Sequence, residues 1–539
     1  MTESTLLIGL FSVPALAAVL EYSLGRKLPQ LTGKIGIAGA AATFGLALAL
    51  LRKLFTCGGL DALGGQLRAD ALSGLVAVVV SFVGLAAMLF AYPYLWHEVV
   101  KGKFPAERLR NYYALSLVFI STMTAVTVMN NIIMMYVLVE ATTLASALLV
   151  TFYGTPEALE AGYKYLLLCS VGIALGLLGC VVLYSAAVPF VGGIKAMEIS
   201  EIAKVAHQFP PLVALAGGML VIIGFGSKAG FVPFHAWLPD AHSQSPSPVS
   251  AMLSGVTLKV AIYAIARIAT IFYPGHSALG LFCVILGAVA MLFGILVAFH
   301  QTDLKRMLAY SSVSQIGYII MGLGLSSYLG FYGAVYHLLN HALDKSMLFL
   351  CSGALLYACG TTSIAELGRK KHSSLLAVCF FIGAFAISGV PPLNGFWSKF
   401  AIYTAAAQAH LWWAFGIALF TSLLTVAVLI RAGYTIFLQE KHEEEPVAAA
   451  PVRAETAPAL ASIGGGAEAF AQQWDEFLPD ALSPNREGET EVSVSYPFGM
   501  IAVIVVMAGL VIVSGLNLGF LHHAIDLSVQ ALLHQMAGG

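Results

Sequence analysis

Five ionisable residues stand in the middle of long apolar runs: Glu140, Lys228, Lys259, Lys345 and Lys399. A charge at the centre of a membrane helix costs about 2.5–3.5 kcal/mol, so five of them cost on the order of 15 kcal/mol. A fold carries such groups only where they pair, face a hydrated cavity or take part in transport. Two histidines share this setting. In YHLLNHALDKSMLFL, His337, His341 and Lys345 recur at i, i+4 and i+8, which lines them along one helix face. An HxxxH pair can also hold a metal, but leucines fill its middle and no general base follows as in HExxH, so no metal site is expected. Histidine accepts and donates near neutral pH, so a rail for protons is the better reading.

Lys228 and His235 lie in GFGSKAGFVPFHAWLPDA, among glycines and Pro233. Gly and Pro there loosen a helix and free backbone groups, and broken helices at membrane depth mark ion sites in transporters. A second such place, SGVPPLNGFWSKF, puts Pro391, Pro392 and Gly395 just before Lys399. Lys259 carries Tyr263 and Arg267 on its own helix face. Bland readings fit the remaining charges. Arg267 and Arg431 lie near span ends and can snorkel to the interface. Lys164 lies four residues after Glu160, the spacing of a surface pair.

The elements that position these groups are transmembrane helices. Of 539 residues, 59% are hydrophobic and 10% charged, against about 25% charged in soluble domains. Apolar runs of about 20 residues recur along the chain, each enough to cross the hydrocarbon. The expected fold is all-α, with about fourteen transmembrane helices. The seventh (211–239) and twelfth (373–404) are too long for one crossing and should be broken. The two broken spans lie five spans apart, an odd offset, which suggests two inverted five-helix repeats. The expected organisation is helices 1–3 over 1–111, first repeat over 112–271 and second repeat over 276–437. An acidic, disordered cytoplasmic loop then covers 438–496, and the last span with a terminal amphipathic helix covers 497–539.

The first apolar stretch reads as a span rather than a signal peptide, since Glu3 opens it and no basic residue precedes Arg26. Loops after spans 1, 3, 9, 11 and 13 carry Arg26, Lys27, Lys34, Lys101, Lys103, Arg108, Arg110, Lys305, Arg306, Arg369, Lys370, Lys371, Lys441, Arg453 and Arg486. The opposite side carries only Arg52, Lys53, Arg68, Lys195 and Lys204. The positive-inside rule then places both termini on the outer face of a cell inner membrane. The seven cysteines are scattered singly, with no CxxC and no zinc or iron–sulfur spacing, so no cofactor is expected. A net charge of −1 gives no pointer to nucleic acid.

Three segments carry a resemblance: FGSKAGFVPFHAWLPDAHSQSPSPVSAMLSGVTLKVAIYAIAR, HQTDLKRMLAYSSVSQIGYI and HLLNHALDKSMLFLCSG. They closely resemble the proton-conducting antiporter-like family. That family comprises the pumping subunits of respiratory complex I, the Mrp-type sodium/proton antiporters and the membrane arms of group 4 hydrogenases. The run KYLLLCSVGIALGLLGCVVLY is most similar to the F component of hydrogenase-4. The resemblance implies roles residue by residue. Glu140 matches the span-5 glutamate that pairs with the span-7 lysine, here Lys228. Lys259 matches the bridging lysine of span 8. His337, His341 and Lys345 match the span-11 connection, and Lys399 matches the terminal residue of span 12.

Two unit charges 4 Å apart at an effective dielectric of 20 attract by about 4 kcal/mol. Contact with Glu140 would therefore keep the proton on Lys228, and separation in a desolvated site would release it toward Lys259 through His235 and water. The resemblance implies partner subunits, both membrane and peripheral, that supply the driving force. Three readings follow from it: a proton-translocating subunit of a respiratory or hydrogenase-type oxidoreductase complex; an Mrp-type antiporter module that also moves sodium; and the proton-conducting half of an inorganic-carbon uptake complex.

Overall fold

The computed structural model describes residues 3–439, 496–516 and 519–538. The acidic segment Glu440–Ser495, expected as a disordered loop, lies outside the described residues. Helices α1 (Glu3–Lys27) and α2 (Lys34–Cys57) lead into an antiparallel hairpin of β1 (Gly59–Ala62) and β2 (Leu67–Asp70). Then come α3 (Ala71–Val100), α4 (Glu107–Val128), α5 (Ile132–Val150) and α6 (Pro156–Val191). A short α7 (Ile199–Val205) precedes the broken pair α8 (Pro211–Ala229) and α9 (Trp237–Gln244). A π-turn over Leu253–Thr257 joins α10 (Ser247–Met252) to α11 (Leu258–Ile268).

Next are α12 (Ser277–Phe299), α13 (Leu304–Gly324) and α14 (Tyr328–Cys359). The small α15 (Ile364–Gly368) leads to the second broken pair, α16 (Ser374–Ser388) and α17 (Asn394–Gln408). Helix α18 (Trp412–Gly433) follows, and α19 (Phe498–Gly515) and α20 (Gly519–Met536) complete the described chain.

This is a multi-pass membrane protein. Among the described residues, twelve helical stretches are long and apolar enough to cross a membrane, counting α8 with α9 and α10 with α11 as one stretch each. The two other expected spans are present as helices outside that dozen. Helix α13 is polar in its first half, with Ser311, Ser312, Ser314 and Gln315 turned inward. The other is split into α16 and α17, each too short to cross alone. The surface inverts that of a soluble protein. Leu16, Leu167, Leu423 and Phe498 are exposed, whereas Lys228, Lys259, Lys345 and Lys399 are buried.

Both breaks fall where Gly and Pro predict them. Helix α8 stops at Gly230 (φ +81°) and α16 at Gly389 (φ +85°), left-handed conformations that a side chain resists. At Gly389 an added Cβ would also sit 3.0 Å from Cδ of Lys399, a tight contact. A third interruption, the π-turn before Lys259, has no Gly–Pro signature and went unpredicted.

Helix α20 covers the segment expected to form a terminal amphipathic helix, and its apolar face rests on other helices of the protein. Ile525, Val529 and Leu532 of its apolar face are fully buried against the protein, chiefly α3 and α14, while Leu521 and Met536 are half-buried. Its Gln535 accepts from Nη1 of Arg267 at 3.2 Å. Arg267 therefore does not snorkel. It is 8% exposed and forms an ion pair with Asp70, the N-cap of α3, so that hairpin, α3, α11 and α20 share one polar knot.

Burial alone pushes the Asp70 carboxyl up, but the Arg267 guanidinium and the Ser73 N–H hold it below the ordinary carboxylate range. A lowered folded value means that the pair's contribution is complete above about pH 4 and is lost as pH falls through that value. Asp70→Ala strands a buried guanidinium and should destabilise the protein by about 3–5 kcal/mol. Thermal unfolding in detergent should show a large gap from wild type at neutral pH that closes in acid. A gap independent of pH would deny the pair its role.

Candidate functional site

Lys228 is delivered by a close helix crossing. A Cβ on Gly224 of α8 would collide with Gly176 of α6, and one on Gly172 with Ser227, so the two helices meet almost backbone to backbone. That approach carries Lys228 to Tyr165 of α6, whose hydroxyl its Nζ bonds, and to Thr143 of α5, at 2.8 Å. The Tyr165 hydroxyl reaches Ser146 at 2.6 Å. Helix α9 folds back over this cluster. Trp237 packs on the Tyr165 ring at 4.6 Å and donates to the Ser227 carbonyl at 3.0 Å.

Glu140 and Lys228 form no direct ion pair. The Thr143 hydroxyl stands between them, accepting from Lys228 and donating to Oε2 of Glu140 at 3.2 Å. The other carboxylate oxygen accepts from Ser170 at 2.6 Å, and Glu140 is half-buried, nearer the outside of the bundle than Lys228. The expected contact is thus a hydroxyl-bridged one. Thr143→Val keeps the shape and removes the bridge. Coupled proton movement should fall roughly tenfold with assembly intact, the rate equivalent of about 1.4 kcal/mol. An unchanged rate would take the hydroxyl off the path.

His235, expected to act together with water between Lys228 and Lys259, makes no direct contact with either lysine. It sits in the break itself, half-buried, with its ring 4.5 Å from that of Phe293. The turn after Gly230 rotates it toward α12 and α13. Two turns later His242 is fully buried, stacked on Phe349 at 4.5 Å, with both ring nitrogens free of partners among the described residues. Sequence reasoning passed over His242, although it is the next histidine after His235 in the same quoted segment.

The centre of the site is tightly connected. Beyond the π-turn, Lys259 bonds the Ser254 carbonyl and Nδ1 of His341. A π-turn loosens the regular ladder, leaving that carbonyl available to a side chain. One turn along α14, His337 is held by Ser398 of α17 at 3.0 Å and Gln315 of α13 at 3.2 Å. The rings of His337 and His341 lie 6.3 Å apart. Lys345, one turn the other way, donates to the Leu308 carbonyl at 3.1 Å and to the Ser311 hydroxyl.

Lys399 uses the second break. The chain turns at Gly389, and Nζ takes the Ser388 carbonyl at 3.3 Å and the Ser422 hydroxyl at 3.2 Å, lying 4.5 Å from the centre of the Tyr318 ring. All four central lysines therefore rest on neutral oxygens, aromatic faces or histidine. None forms an ion pair among the described residues. No carboxylate directly contacts any of these four ammonium groups among the described residues, although Asp344, the neighbour of Lys345, is buried nearby.

Four further charged residues complete the picture, and one of them, Lys305, differs from sequence expectation. Lys305, assigned to a cytoplasmic loop, is 2% exposed and donates to the Ser245 carbonyl at 2.8 Å. The polar run QTDLKR looks like loop sequence, and only its docking beneath the α9–α10 corner buries it. Asp344, beside Lys345, is a buried carboxylate that the lysine pattern overshadowed, though a charge inside a span was its own signal. Lys164 does pair with Glu160, at 3.3 Å, and also with Asp240, at 3.0 Å, on the exposed side of α6. Arg431 is exposed and donates to the Phe299 carbonyl at 2.5 Å.

Apolar helices outside, two broken helices within and a row of buried lysines between them define an antiporter-like membrane protein. Residues 129–425 match the family described as NADH:quinone oxidoreductase/Mrp antiporter, transmembrane, and the chain belongs to that family. It is 34% identical over 363 residues to a hydrogenase-4 component F homolog of Methylacidiphilum infernorum, covering 67% of this chain and 76% of the relative. It is 33% identical over 385 residues to NADH-quinone oxidoreductase subunit N of Desulforudis audaxviator, covering 70% and 73%. Its fold matches a chain of the Mrp complex of Dietzia sp. DQ12-45-1b with a TM-score of 0.81, 25% identity and coverage of 99% and 98%.

Proposed function

We propose that this chain moves protons across a cell inner membrane as a subunit of a respiratory or hydrogenase-type complex. Its path is the row Glu140, Lys228, Lys259, His341, His337, Lys345 and Lys399. The observation that carries this reading is that the four central lysines, each buried to within 1% of full cover, form no ion pair among the described residues. A purely structural role gives no return for so much desolvation. Thr143 and Tyr165 join the path as the groups that hold Lys228, and His235 is retained as a group at the mouth of the first break, facing α12 and α13. The driving force enters from partner subunits, as the names of the relatives suggest.

The likeness to a chain of an Mrp complex supports a second reading, a sodium/proton antiporter module built on the same row. Purification of the intact complex from native membranes separates the two. Redox subunits should co-purify under the first reading, a set of small antiporter subunits under the second. A pure, isolated chain that oxidised NADH, formate or hydrogen would overturn both.

The proposed architecture keeps two inverted repeats, over 112–271 and 276–437, with both termini on the outer face. The left-handed glycines at matched breaks support the repeats, and the distribution of Lys and Arg supports the orientation. A cysteine at Ser462 should then react with an impermeant reagent only from the cytoplasmic side. Labelling from the outer face would refute this topology.

A further inference from the structure

Helix α14 carries a second polar ridge besides His337, His341 and Lys345. Tyr328, Tyr332, Tyr336, Asn340 and Asp344 recur at a strict interval of four, so they climb the helix as one row. Sixteen residues of helix rise about 24 Å, which takes this row from the middle of α14 to its end. At the inner end Asp344 is fully buried. Its Oδ1 meets Nδ2 of Asn394 at 3.4 Å, and its Oδ2 has no partner among the described residues. It lies within electrostatic reach of Lys345, Lys399 and Lys259.

The roof over this ridge is polar as well. The Asn394 amide also donates to the Ser514 hydroxyl of α19 at 3.1 Å, and Tyr336 donates to the Ser514 carbonyl at 2.6 Å. Tyr332 then meets Nδ1 of His522 on α20, with the two rings stacked, and the exposed Tyr328 donates to Asp526 at 2.5 Å. The side-chain oxygens Oδ1 of Asn340 and Asn394 and Nε2 of His522 are likewise buried without a partner among the described residues. Buried polar atoms in such number along one line are ordinarily satisfied by ordered water. Nothing in the proposed relay uses any of these groups.

We propose that this ridge is a hydrated proton half-channel joining the lysine row, at Asp344, to the membrane face on which α20 lies. The inference rests on the relay reading above. A lysine of the row gives one proton to the Asp344 carboxylate, leaving a neutral amine and a neutral acid. The acid passes that proton along water and the tyrosine hydroxyls to His522, and regains its negative charge. His522 releases it to solvent beside Asp526. No other reactant is consumed.

The test uses sealed vesicles holding the whole complex, with cysteines placed singly at Tyr336 and Asn340, and at Val335 and Leu338 as buried neighbours off the ridge. A small, cationic, impermeant thiol reagent is added to one face at a time, and each site is followed by mass spectrometry. Ridge cysteines should react at least tenfold faster than their neighbours, and from the α20 face only. Equal rates, or reaction from the opposite face, would overturn the half-channel. A second arm measures proton uptake. Asp344→Asn should slow it at least tenfold in assembled complex. Wild-type uptake in Asp344→Asn beside none in Lys228→Met would sink the half-channel and leave the relay standing. Wild-type uptake in Lys228→Met would sink the relay itself.

Discussion

Replacing Lys228 with methionine should abolish coupled proton movement while the complex still assembles. Methionine keeps most of the length of the stem and removes a buried charge, so the crossing of α6 and α8 at Gly176 and Gly224 loses little packing. What it loses is the ammonium between Thr143 and Tyr165, the only titratable link between Glu140 and the centre in the proposed path. Lys228→Arg should fail equally. A guanidinium fills the site with the same charge but does not give up its proton, so it occupies the relay without exchanging. The pair of variants separates charge from exchange. If arginine restored transport, Lys228 would serve as a fixed counter-charge, and the relay would be wrong at its first step.

The second large effect is expected at His341. Its Nδ1 meets Lys259 directly, so a proton on Lys259 has its nearest titratable neighbour there. His341→Gln supplies a hydrogen-bonding group of similar reach that cannot change its charge. Lys259 would keep a polar partner besides the Ser254 carbonyl, and assembly should be retained. Transport should fall at least a hundredfold, about 2.7 kcal/mol on the barrier. A loss of less than threefold in proton uptake would show that the ring merely holds Lys259 in place. His337 makes a useful comparison, since Ser398 and Gln315 already satisfy both of its nitrogens.

Much of this site was legible in the sequence because the bilayer makes charge conspicuous. Lys228, Lys259, Lys345 and Lys399 stood out against apolar neighbours, and all four are buried. Gly230 with Pro233, and Gly389 with Pro391 and Pro392, announced the breaks because they act on the local backbone. What stayed hidden depends on how helices meet. Thr143 and Tyr165 become partners of Lys228 only through the packing of α5, α6 and α8, and neither has an unusual residue type for a span. The direction in which His235 faces was hidden because the break rotates the chain by an angle that no spacing encodes. The π-turn at Leu253–Thr257 left no trace in LSGVT. Lys305 was misread for the opposite reason, since its charged neighbours concealed a side chain that tertiary packing buries.

Proton uptake into sealed vesicles that contain the whole complex, energised by its own driving reaction, tests the row most directly. Wild type is compared with Lys228→Met, Lys259→Met and Lys399→Met, each first shown to assemble. All three variants should take up protons no faster than vesicles lacking the complex. Any one of them assembled and pumping at the wild-type rate would show that protons travel by another route.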